Sequence, residues 1–536
     1  MAETGLTTLD KREITGRRLL TQHSALKGSV INYPDKVAIV DIPHGYRKET
    51  YKELWERTNR LANALTDLGV KKGDKVCYWT EDRVEHIEIW FGAAKIGAVW
   101  TGVNGAFTPK EAEYVINHSD AVVLLISPAF IDKVKNIRAN LEHVKNYIVF
   151  GEEEKGGMFL SYEALLAKAS DKEPEVDVRD NDWDSLTYTS GTTGLPSGSL
   201  RTHASGLGWE DAVIQMAGMN RDAKVYAFYP NYHWGGNVTT RPVLRVGGTR
   251  WIPPGPDPKT FLETIQKEKI NTVGTVASIG AMACAFPDIG KYDLSSVKTW
   301  MSSGSAWLMP MRQDVAKHFP NASLREFYSS TECFFAWATH EEVLTYERTS
   351  GFPPEGNLTT IRDESGKELP PGEWGLLCAK GPSVHDGYYK NAEKTESSLV
   401  GDGWFTAQDV GFKDEDGRVY VADRAKDIIN TGGELVYPAE IENVILTHPK
   451  VAICAVLGTP DPIYTERVTA VVVLKPGEKG SSVLGEEIKE FCRGKMASFK
   501  LPRKVDFVKE IPYVGSGKVN KKKMRAEYWK DEKFKV

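Results

Sequence analysis

The sequence predicts an α/β protein with a large N-terminal domain of layered α/β subdomains, a small β-barrel-like section and a small α/β C-terminal domain. Three observations support this prediction. The chain has 536 residues, which is too long for one hydrophobic core. Helical and strand patterns alternate through the first two thirds, as in parallel sheets covered by helices. From about residue 350 the pattern changes to short strands and turns, and a compact α/β segment follows Arg424.

The first third contains the clearest elements. The stretch "YKELWERTNRLANALTDLG" places Leu54, Leu61, Leu65 and Leu68 on one face and ends at Gly69, which predicts a helix. The apolar runs "KVCYW", "AVWTGV", "AVVLLI" and "YIVF" predict buried strands. A helical pattern, "HIEIWFGAAKIG", lies between the first two of these strands.

The same alternation continues further along the chain. "KVYAFYP" predicts a strand, "FLETIQKEK" a helix, and "SVKTWMSSGS" a strand that ends in a loop of small residues. The Asp416-Gly417 pair predicts a hairpin. Near the C-terminus we expect a helix at about 438–448 and strands at "AICAVLG" and "TAVVVL".

Composition indicates a soluble globular protein, with 41% hydrophobic and 26% charged residues. Lys and Arg total 68 against 73 Asp and Glu, a formal charge of −5, which indicates neither a nucleic-acid nor a membrane partner. The sequence contains no apolar run long enough to span a membrane and no N-terminal signal core. Six scattered cysteines favour buried free thiols over metal-thiolate chemistry. We therefore expect a cytoplasmic enzyme; the oligomeric state stays open.

The stretch "LTYTSGTTGLPSGSLRTH" reads as a short strand that enters a polar loop. Hydroxyls and backbone amides that converge in such a loop suit a polyanion such as a triphosphate, and glycines let the backbone approach it closely. A flexible linker is the alternative, but the apolar residues before the loop and Pro196 after it make a linker less favoured. The loop lacks the G-x-x-x-x-G-K-[ST] pattern of a Walker motif. The residues concerned are Thr189, Ser190, Gly191, Thr192, Thr193 and Gly194.

Several later segments add side chains that suit a nucleotide site. Each alone has an ordinary explanation, such as a surface charge or a turn, so their joint order along the chain carries the weight. The candidates are Tyr328 as a stacking face, Thr331 as a hydroxyl donor, Glu332 as a hard oxygen ligand, Gly304, Ser305 and Ala306 as a backbone edge, Asp409 as a ribose acceptor, Arg424 and Lys426, the Gly432–Gly433 turn, and Lys518 on a Gly-Ser-Gly loop.

In this order the segments resemble the adenylate-forming superfamily of acyl-CoA synthetases, adenylation domains and beetle luciferases, from about residue 30 to about 525. The resemblance implies that the chain uses ATP, Mg²⁺ and coenzyme A. It also implies a role for each matching position. The "TSGTTG" loop would hold the triphosphate, Glu326, Tyr328 and Gly304 to Ala306 would contact adenine, and Ser329 would also bind ATP or AMP. Thr331 would contact phosphate, Glu332 would bind magnesium, and Asp409 and Arg424 would bind ribose.

The resemblance further implies two domains, residues 1–424 for AMP binding and 425–536 as a mobile lid, with a hinge at Lys426. Lys518 would be the catalytic lysine of the lid, and Gly432 and Gly433 would line a channel for the pantetheine arm. His233 matches a histidine before the acid pocket, where it would be a gate or polar neighbour; a structural aromatic is the alternative.

The implied reaction activates a carboxylic acid as an acyl-adenylate and transfers the acyl group to coenzyme A, releasing AMP and pyrophosphate. A ligase that serves a carrier protein and a degenerate ATP-binding homologue are the alternatives. The acid itself is open. Aromatic residues near the expected pocket favour a short, branched or aromatic acid over a very long chain, although they are equally compatible with ordinary core. These residues are Trp209, Trp234, Trp307, Phe334 and Phe335.

Three departures from the family pattern stand in the site. Ser197 occupies the position where the family usually has lysine, Ala407-Gln408 replaces Thr-Gly, and Trp307 replaces proline. The serine removes one charge-assisted contact of about 1.5–3 kcal/mol, if the family lysine makes one. Arg201, four residues further on, is our hypothesis for the missing charge.

Overall fold

Within the residues that the structure describes, four β-sheets and the helices between them form the fold. The computed structural model describes residues 20–151, 157–189, 196–304, 307, 309–347, 349–424, 427, 429–431, 434–436, 438–461, 465–493, 495–496, 498–513 and 519–530. The α-helices are Gln22–Asn32, Tyr51–Asp67, Val84–Lys95, Pro109–His118, Ile131–Ile137, Tyr162–Lys168, His203–Ala217, Trp234–Arg245, Pro258–Glu268, Ala277–Cys284, Met309–His318, His340–Thr345, Ala392–Ser397, Pro438–Leu446, Ser482–Cys492 and Lys521–Tyr528.

The strands include every one predicted from an apolar run. In chain order they are β1 Val37–Asp41, β2 Arg47–Thr50, β3 Lys75–Trp79, β4 Val99–Val103, β5 Ala121–Ile126, β6 Asn146–Val149, β7 Leu160–Ser161, β8 Trp183–Thr189, β9 Ser197–Thr202, β10 Lys224–Ala227, β11 Thr249–Ile252, β12 Thr272–Thr275, β13 Thr299–Ser302, β14 Ser323–Ser329, β15 Phe334–Ala338, β16 Thr349–Gly351, β17 Leu358–Arg362, β18 Gly375–Lys380, β19 Gly387–Tyr388, β20 Leu399–Val400, β21 Trp404–Lys413, β22 Val419–Arg424, β23 Ile429–Thr431, β24 Glu434–Val436, β25 Val451–Asp461, β26 Thr465–Leu474 and β27 Lys504–Phe507.

Two eight-stranded sheets form the large N-terminal part. One has the order β19-β9-β8-β4-β3-β5-β6-β7, and the other has the order β15-β14-β13-β12-β10-β11-β1-β2. Both have parallel centres; the second sheet has an antiparallel strand at each edge, whereas the first is antiparallel at its β19-β9-β8 end and parallel at β7. The first hairpin, β1 and β2, is part of the second of these sheets, whose other strands, β10 to β15, come much later in the chain. The sequence patterns did not predict this arrangement. The largest apolar core joins the sheets, with Trp90 and Trp100 from one side and Val225 and Met301 from the other.

The remaining sheets lie in the C-terminal third. The β-rich section is a six-stranded sheet, β16-β22-β21-β18-β17 with β20 beside β21. Its end strands β16 and β17 do not pair within the described residues, so its pairing is open rather than that of a closed barrel. Asp416-Gly417 lies between the antiparallel strands β21 and β22, which confirms the predicted hairpin. Strands β23 to β27 form the fourth sheet and have their own apolar core.

The helix Tyr51–Asp67 shows why the local sequence pattern was sufficient to predict a helix. The side chain of Thr50 accepts a hydrogen bond from the Glu53 amide, and the Glu53 carboxylate accepts one from the Thr50 amide, which forms a capping box. The predicted face is buried at Leu54, Leu61 and Leu65. The polypeptide turns away from the helix at Gly69, whose φ of 86° suits glycine.

The apolar helix Val84–Lys95 carries two glutamates and a lysine, Glu85, Glu88 and Lys95, each with a hydrogen-bond partner nearby. Glu88 is fully buried, and its carboxylate accepts hydrogen bonds from Arg57 and Arg47 at 2.7 and 3.1 Å. The Lys95 ammonium donates to Asn59 Oδ1 at 2.5 Å. Within the described residues, no helix combines the length and apolar character needed to cross a bilayer.

The α/β fold class with a large N-terminal and a smaller C-terminal domain is confirmed. The exact boundary between residues 424 and 425 stays a prediction, because residues 425 and 426 lie outside the described residues. Lys426, the predicted hinge, therefore also stays a prediction.

Candidate nucleotide and acid site

A cleft of about 2910 Å³ lies where the central parallel strands end. Ligands of open α/β sheets bind at the carboxyl ends of the strands, so this is the expected place for a substrate. Residues that follow four neighbouring strands of one sheet line the cleft; these are Tyr229 after β10, Pro253 after β11, Val276 after β12 and Ser303 after β13. The hairpin end of the other sheet reaches the same cleft through Thr189 and Ser197.

Glu332 is held at the centre of the cleft wall by a tight polar turn. The hydroxyl of Ser330 accepts hydrogen bonds from the amides of Glu332 and Cys333 at 3.1 and 3.2 Å. The Tyr388 hydroxyl donates to Glu332 Oε1 at 2.9 Å. Glu332 and its neighbour Thr331 both line the cleft, although only 6% and 7% of their surfaces are exposed. The predicted magnesium ligand is thus a largely buried carboxylate that faces the cleft.

Arg201 lies behind this turn, in the interior of the protein. Its guanidinium donates to the carbonyl oxygens of Thr331 at 2.7 Å and Ser383 at 2.9 Å. It also lies 4.5 Å from the ring centroid of Trp234, and only 1% of its surface is exposed. Burial lowers the pKa of Arg201 to about 10. The hypothesis that Arg201 replaces the loop lysine by direct contact is therefore wrong, because this side chain supports the wall from the interior.

The predicted adenine side is formed by neighbouring strand ends. Tyr328, Ser329 and Glu326 from β14 and Gly304 after β13 all line the cleft. The Arg312 guanidinium donates to Glu326 Oε2, which fixes that carboxylate. Gly304 has a φ of 85°, which lets the chain turn sharply at the end of β13.

Asp409 is brought to the cleft by the hairpin of β21 and β22. It is 3% exposed and lies opposite Arg424 in the strand register. Gln408, one of the predicted departures, has a φ of 63°, in the left-handed region that glycine adopts without strain. The backbone N–H of Gln408 donates to Thr406 Oγ1 at 3.1 Å, and Gln408 lines the cleft. The chain thus keeps a glycine-like backbone at Gln408 while adding a side chain.

Three of the predicted acid-pocket aromatics line the cleft, namely Trp209, Trp234 and Trp307. Phe334 is not part of the lining; it packs edge-on against Trp209, with ring centroids 4.9 Å apart. Phe335 belongs to a different apolar cluster, beside Tyr328. The expectation that Phe334 touches the acid is therefore not supported, because Trp209 separates it from the cleft.

His233 occupies the N-cap of the helix Trp234–Arg245. Its Nδ1 accepts a hydrogen bond from the Gly235 amide at 3.1 Å, which satisfies one of the unpaired donors at the helix start. His233 also lines the cleft. The cap gives His233 a structural role, and its role as a gate or polar neighbour of the acid stays a prediction.

Several predicted residues lie outside the described residues. The flanks of two such segments still indicate where they join the fold. Thr189 and Ser197 pair across the β8–β9 hairpin and line the cleft. Tyr513 and Val519, which bracket the segment with Lys518, pair with each other and also line the cleft. The predicted residues concerned are Ser190, Gly191, Thr192, Thr193, Gly194, Ser305, Ala306, Lys426, Gly432, Gly433 and Lys518.

Tyr388, Lys394 and His385 are site residues that the sequence did not predict. Tyr388 contacts Glu332, and the Lys394 ammonium lies 3.9 Å from the centroid of the Tyr388 ring. The His385 ring packs on Tyr388, and burial, with the charge of Arg201 next in importance, lowers its pKa well below the usual value. No spacing connects "HDGYYKNAEK" to Glu332, more than fifty residues earlier. The fold reveals the contact, because the His385 backbone amide donates to the Glu332 carbonyl at 2.7 Å and β19 pairs with β9.

Comparison with known proteins identifies the family. Residues 26–389 match the family described as "AMP-binding enzyme", and residues 440–518 match "AMP-binding enzyme C-terminal domain". The chain belongs to this family. The AMP-binding enzyme is 31% identical to a feruloyl-CoA synthase of Amycolatopsis sp, over 91% of this chain and 95% of that protein. It is 30% identical to a long-chain-fatty-acid–CoA ligase of Thermus thermophilus, over 90% of each chain.

Among solved structures, this AMP-binding enzyme is similar to the anthranilate CoA ligase AuaEII in complex with anthranoyl-AMP. The TM-score is 0.87 at 27% identity, covering 95% of this chain and 97% of that one. The predicted reaction class is confirmed: the enzyme is an AMP-forming acid–thiol ligase that uses ATP, Mg²⁺ and coenzyme A and proceeds through an acyl-adenylate.

Proposed function

We propose that this enzyme joins a compact aromatic or branched carboxylic acid to coenzyme A. The observation that carries the proposal is the aromatic wall of Trp209, Trp234 and Trp307, which lines the cleft that also contains Glu332. Of the three relatives described above, two are named for aromatic acids, ferulate and anthranilate, and one for long-chain fatty acids. The aromatic wall supports an acid similar to ferulate or anthranilate over a long-chain fatty acid.

The rings behind the wall support a compact acid. Trp209 packs edge-on against both Trp234 and Phe334, with centroids 6.2 and 4.9 Å apart. Trp234 stacks on Trp100 with an interplanar angle of 3°, and Phe334 stacks on Phe327. These layers fill the interior behind the wall. A long acyl chain would have to displace close-packed rings, whereas a flat acid lies against them.

In the first step, a carboxylate oxygen attacks the α-phosphorus of ATP, and the bond from that phosphorus to pyrophosphate breaks. Both reactants are anions, so the site must offset their repulsion. We assign this role to Lys518 of the C-terminal domain; the neighbouring residues Tyr513 and Val519 line the cleft and support the assignment.

Glu332 is our candidate ligand for Mg²⁺. Within the described residues, no group of three or more His, Cys, Asp or Glu side chains forms a metal cage. One carboxylate is nevertheless a good fit, because Mg²⁺ is usually held by one or two carboxylates together with substrate phosphates. Tyr388 occupies one oxygen of Glu332 and orients the group. When bound, the ion would neutralise phosphate charge.

The other nucleotide contacts follow from the positions of the side chains in the cleft. We assign adenine stacking to Tyr328, a phosphate contact to Thr331 and ribose binding to Asp409, all of which line the cleft. The strand register places Arg424 opposite Asp409, which supports a joint ribose role for the two residues.

In the second step the thiol sulfur attacks the acyl carbon, and the bond from that carbon to AMP breaks. We propose that residues 425–536 rotate about Lys426 between the steps and bring Gly432 and Gly433 to the pantetheine arm. The separate sheet and core of strands β23 to β27 support a C-terminal unit that moves as one body. Two glycines let a narrow thiol arm pass close to the backbone.

We also propose a cytoplasmic location. All six cysteines are free thiols, and five of them are buried. Unpaired cysteines are typical of reducing compartments, which supports this location. Nothing in the net charge of −5 suggests a nucleic-acid partner.

Pyrophosphate release across a panel of acids tests the proposal. The enzyme is incubated with MgATP and benzoic, cinnamic, branched short-chain or palmitic acid, with and without coenzyme A. We expect release with one aromatic or branched class, AMP as a product, and faster turnover when coenzyme A is present. Release with palmitate alone would contradict the compact-acid proposal. Turnover that responds to an acyl-carrier protein and not to coenzyme A would identify the other acceptor, and ATP binding without release would indicate an inactive homologue.

A further inference from the structure

Gln408 lies in an irregular part of strand β21, at the wall of the cleft. Where β21 pairs with β18, the register shifts, so that three residues, Ala407 to Asp409, stand against the single residue Leu377. A regular strand points successive side chains to opposite faces, whereas a bulge re-aims them. All three residues of this bulge line the cleft. The bulge therefore brings the side chain of Gln408 to the same cleft as that of Asp409.

The backbone of Gln408 is unfavourable for a residue that has a side chain. Its φ of 63° lies in the left-handed region, where a Cβ atom is crowded and glycine is not. Within the part of the chain that the structure describes, Gln408 is the one residue other than glycine that combines a positive φ with a place inside a strand. The others lie in turns, namely Tyr46, Asp120, Lys269 and Lys390. Unfavourable backbone of this kind is concentrated at ligand sites, which suggests a use for the side chain.

The neighbours of Gln408 belong to the nucleoside side of the cleft. The residue before it, Ala407, packs in the same apolar cluster as Tyr328, which we assigned to adenine. The residue after it is Asp409, which we assigned to ribose. Asp409 is 3% exposed, whereas Gln408 is exposed at the cleft wall. An inference about Gln408 thus rests on the proposed function and adds to it a further contact with ATP.

The chemistry of a ribose hydroxyl suits this pair of side chains. A hydroxyl has one hydrogen to donate and lone pairs that accept, whereas an ionised carboxylate such as that of Asp409 only accepts. The carboxamide of Gln408 supplies the two N–H donors that a carboxylate lacks. We propose that the Gln408 carboxamide donates a hydrogen bond to the oxygen of a ribose hydroxyl of ATP, while Asp409 accepts the hydrogen of the same hydroxyl. Glycine at this position would leave that oxygen to water.

Gln408→Gly provides the first test, because it removes the side chain and suits the backbone. We expect titration calorimetry to show MgATP binding about fivefold weaker, the loss of one hydrogen bond. The urea midpoint of unfolding should not fall, because glycine adopts this φ without strain. A merely structural role would lower affinity and stability together. Gln408→Glu, which keeps the length but removes the N–H donors, should also weaken MgATP binding. Lys269→Gly, at a left-handed position outside the cleft lining, is the matched control and should leave the affinity unchanged.

Analogues of ATP provide the second test. The same titrations are made with the magnesium complexes of 2′-deoxy-ATP and 3′-deoxy-ATP. The difference in affinity between wild type and Gln408→Gly should disappear with at least one analogue, because that analogue lacks the hydroxyl concerned. Equal MgATP affinity in the two proteins would overturn the inference, and so would a fivefold loss that persists with both analogues. Absence of MgATP binding in the wild type would instead overturn the proposed function.

Discussion

At the residue scale, Ser197 and Gln408 show what a sequence can and cannot indicate. Both are visible as departures from a family pattern, and both lie at the cleft, so the sequence located them correctly. It could not indicate their consequences. The backbone of Gln408 is left-handed, and the Tyr388 hydroxyl donates to Glu332, a residue 56 positions earlier in the chain. Motif residues are recognisable locally, whereas the residues that support them are not.

Glu332→Gln tests the assigned magnesium ligand. The amide keeps the shape of the side chain and can still accept from Tyr388, but it removes the charge. We expect acid-dependent pyrophosphate release to fall at least about a hundredfold, with a higher requirement for Mg²⁺. Glu393→Gln, an exposed position of the cleft lining, is the control and should keep wild-type rates. A Glu332→Gln enzyme with an unchanged magnesium requirement would remove the assignment.

Gln408 tests the left-handed backbone beside Asp409. Because its φ is 63°, glycine at this position should give a more stable protein than alanine, by about 1 kcal/mol in the free energy of unfolding. At Glu396, inside the helix Ala392–Ser397, the order should reverse, with alanine more stable by about 1 kcal/mol. Chemical denaturation of the four variants measures both differences. The same order at both positions would contradict the backbone description.

At the element scale, helices were the most predictable features. The helix Tyr51–Asp67 carries its apolar face, its cap and its stop within a single stretch of sequence, so no distant contact was needed to identify it. The hairpin of β1 and β2 is the opposite case. Its partner β11 lies far along the chain, and no local pattern encodes that pairing. The order of strands within each sheet was likewise beyond local patterns.

The helix His203–Ala217 buries a carboxylate with a measurable effect on pH dependence. Glu210 is 3% exposed, and burial raises its pKa to about 7; the nearest described cation, Arg245 Nη1, is 3.9 Å away. The folded state holds this proton more tightly than the unfolded state, whose carboxyl has a pKa of 4.5. Protonated Glu210 therefore contributes its full stabilisation to the folded state below about pH 4.5, and this contribution is lost as the pH rises to about 7.

Glu210→Gln should remove the loss of folding stability that accompanies deprotonation of Glu210. We expect the variant to be more stable than the wild type by about 1–3 kcal/mol above pH 7, with a difference that shrinks as the pH falls towards 4.5. Urea denaturation at several pH values measures the difference. A constant difference at all pH values would show that the proton on Glu210 is not the cause.

At the scale of the whole molecule, one cleft collects residues from both domains. Glu332 and Asp409 come from the large N-terminal part, while Tyr513 and Val519 come from the C-terminal part. Family membership rested on the order of motifs along the chain, and the sequence contained that order in full. The acid was less predictable, because its pocket is built from aromatic residues whose packing decides which of them reach the surface.

Lys518→Ala tests how the two domains divide the reaction. Adenylate formation from acid and ATP should fall at least about a hundredfold, since the ammonium offsets the repulsion of two anions in that step. Thioester formation from preformed acyl-AMP and coenzyme A should be nearly unchanged. Lys509→Ala, a substitution in the same domain outside the cleft lining, is the control. Equal losses in both half-reactions would contradict the assignment.

The pairing of β1 with β11 has a consequence for synthesis of the chain. Ile39 is opposite Arg250, about 210 residues later. At about 5–20 residues per second, a ribosome needs about 10–40 seconds to supply the partner strand after β1 emerges. During that interval the hairpin of β1 and β2 has one edge without its final neighbour, and such an edge can pair with a strand of another nascent chain. Slower translation before residue 249 would lengthen this exposure and lower the yield of folded enzyme.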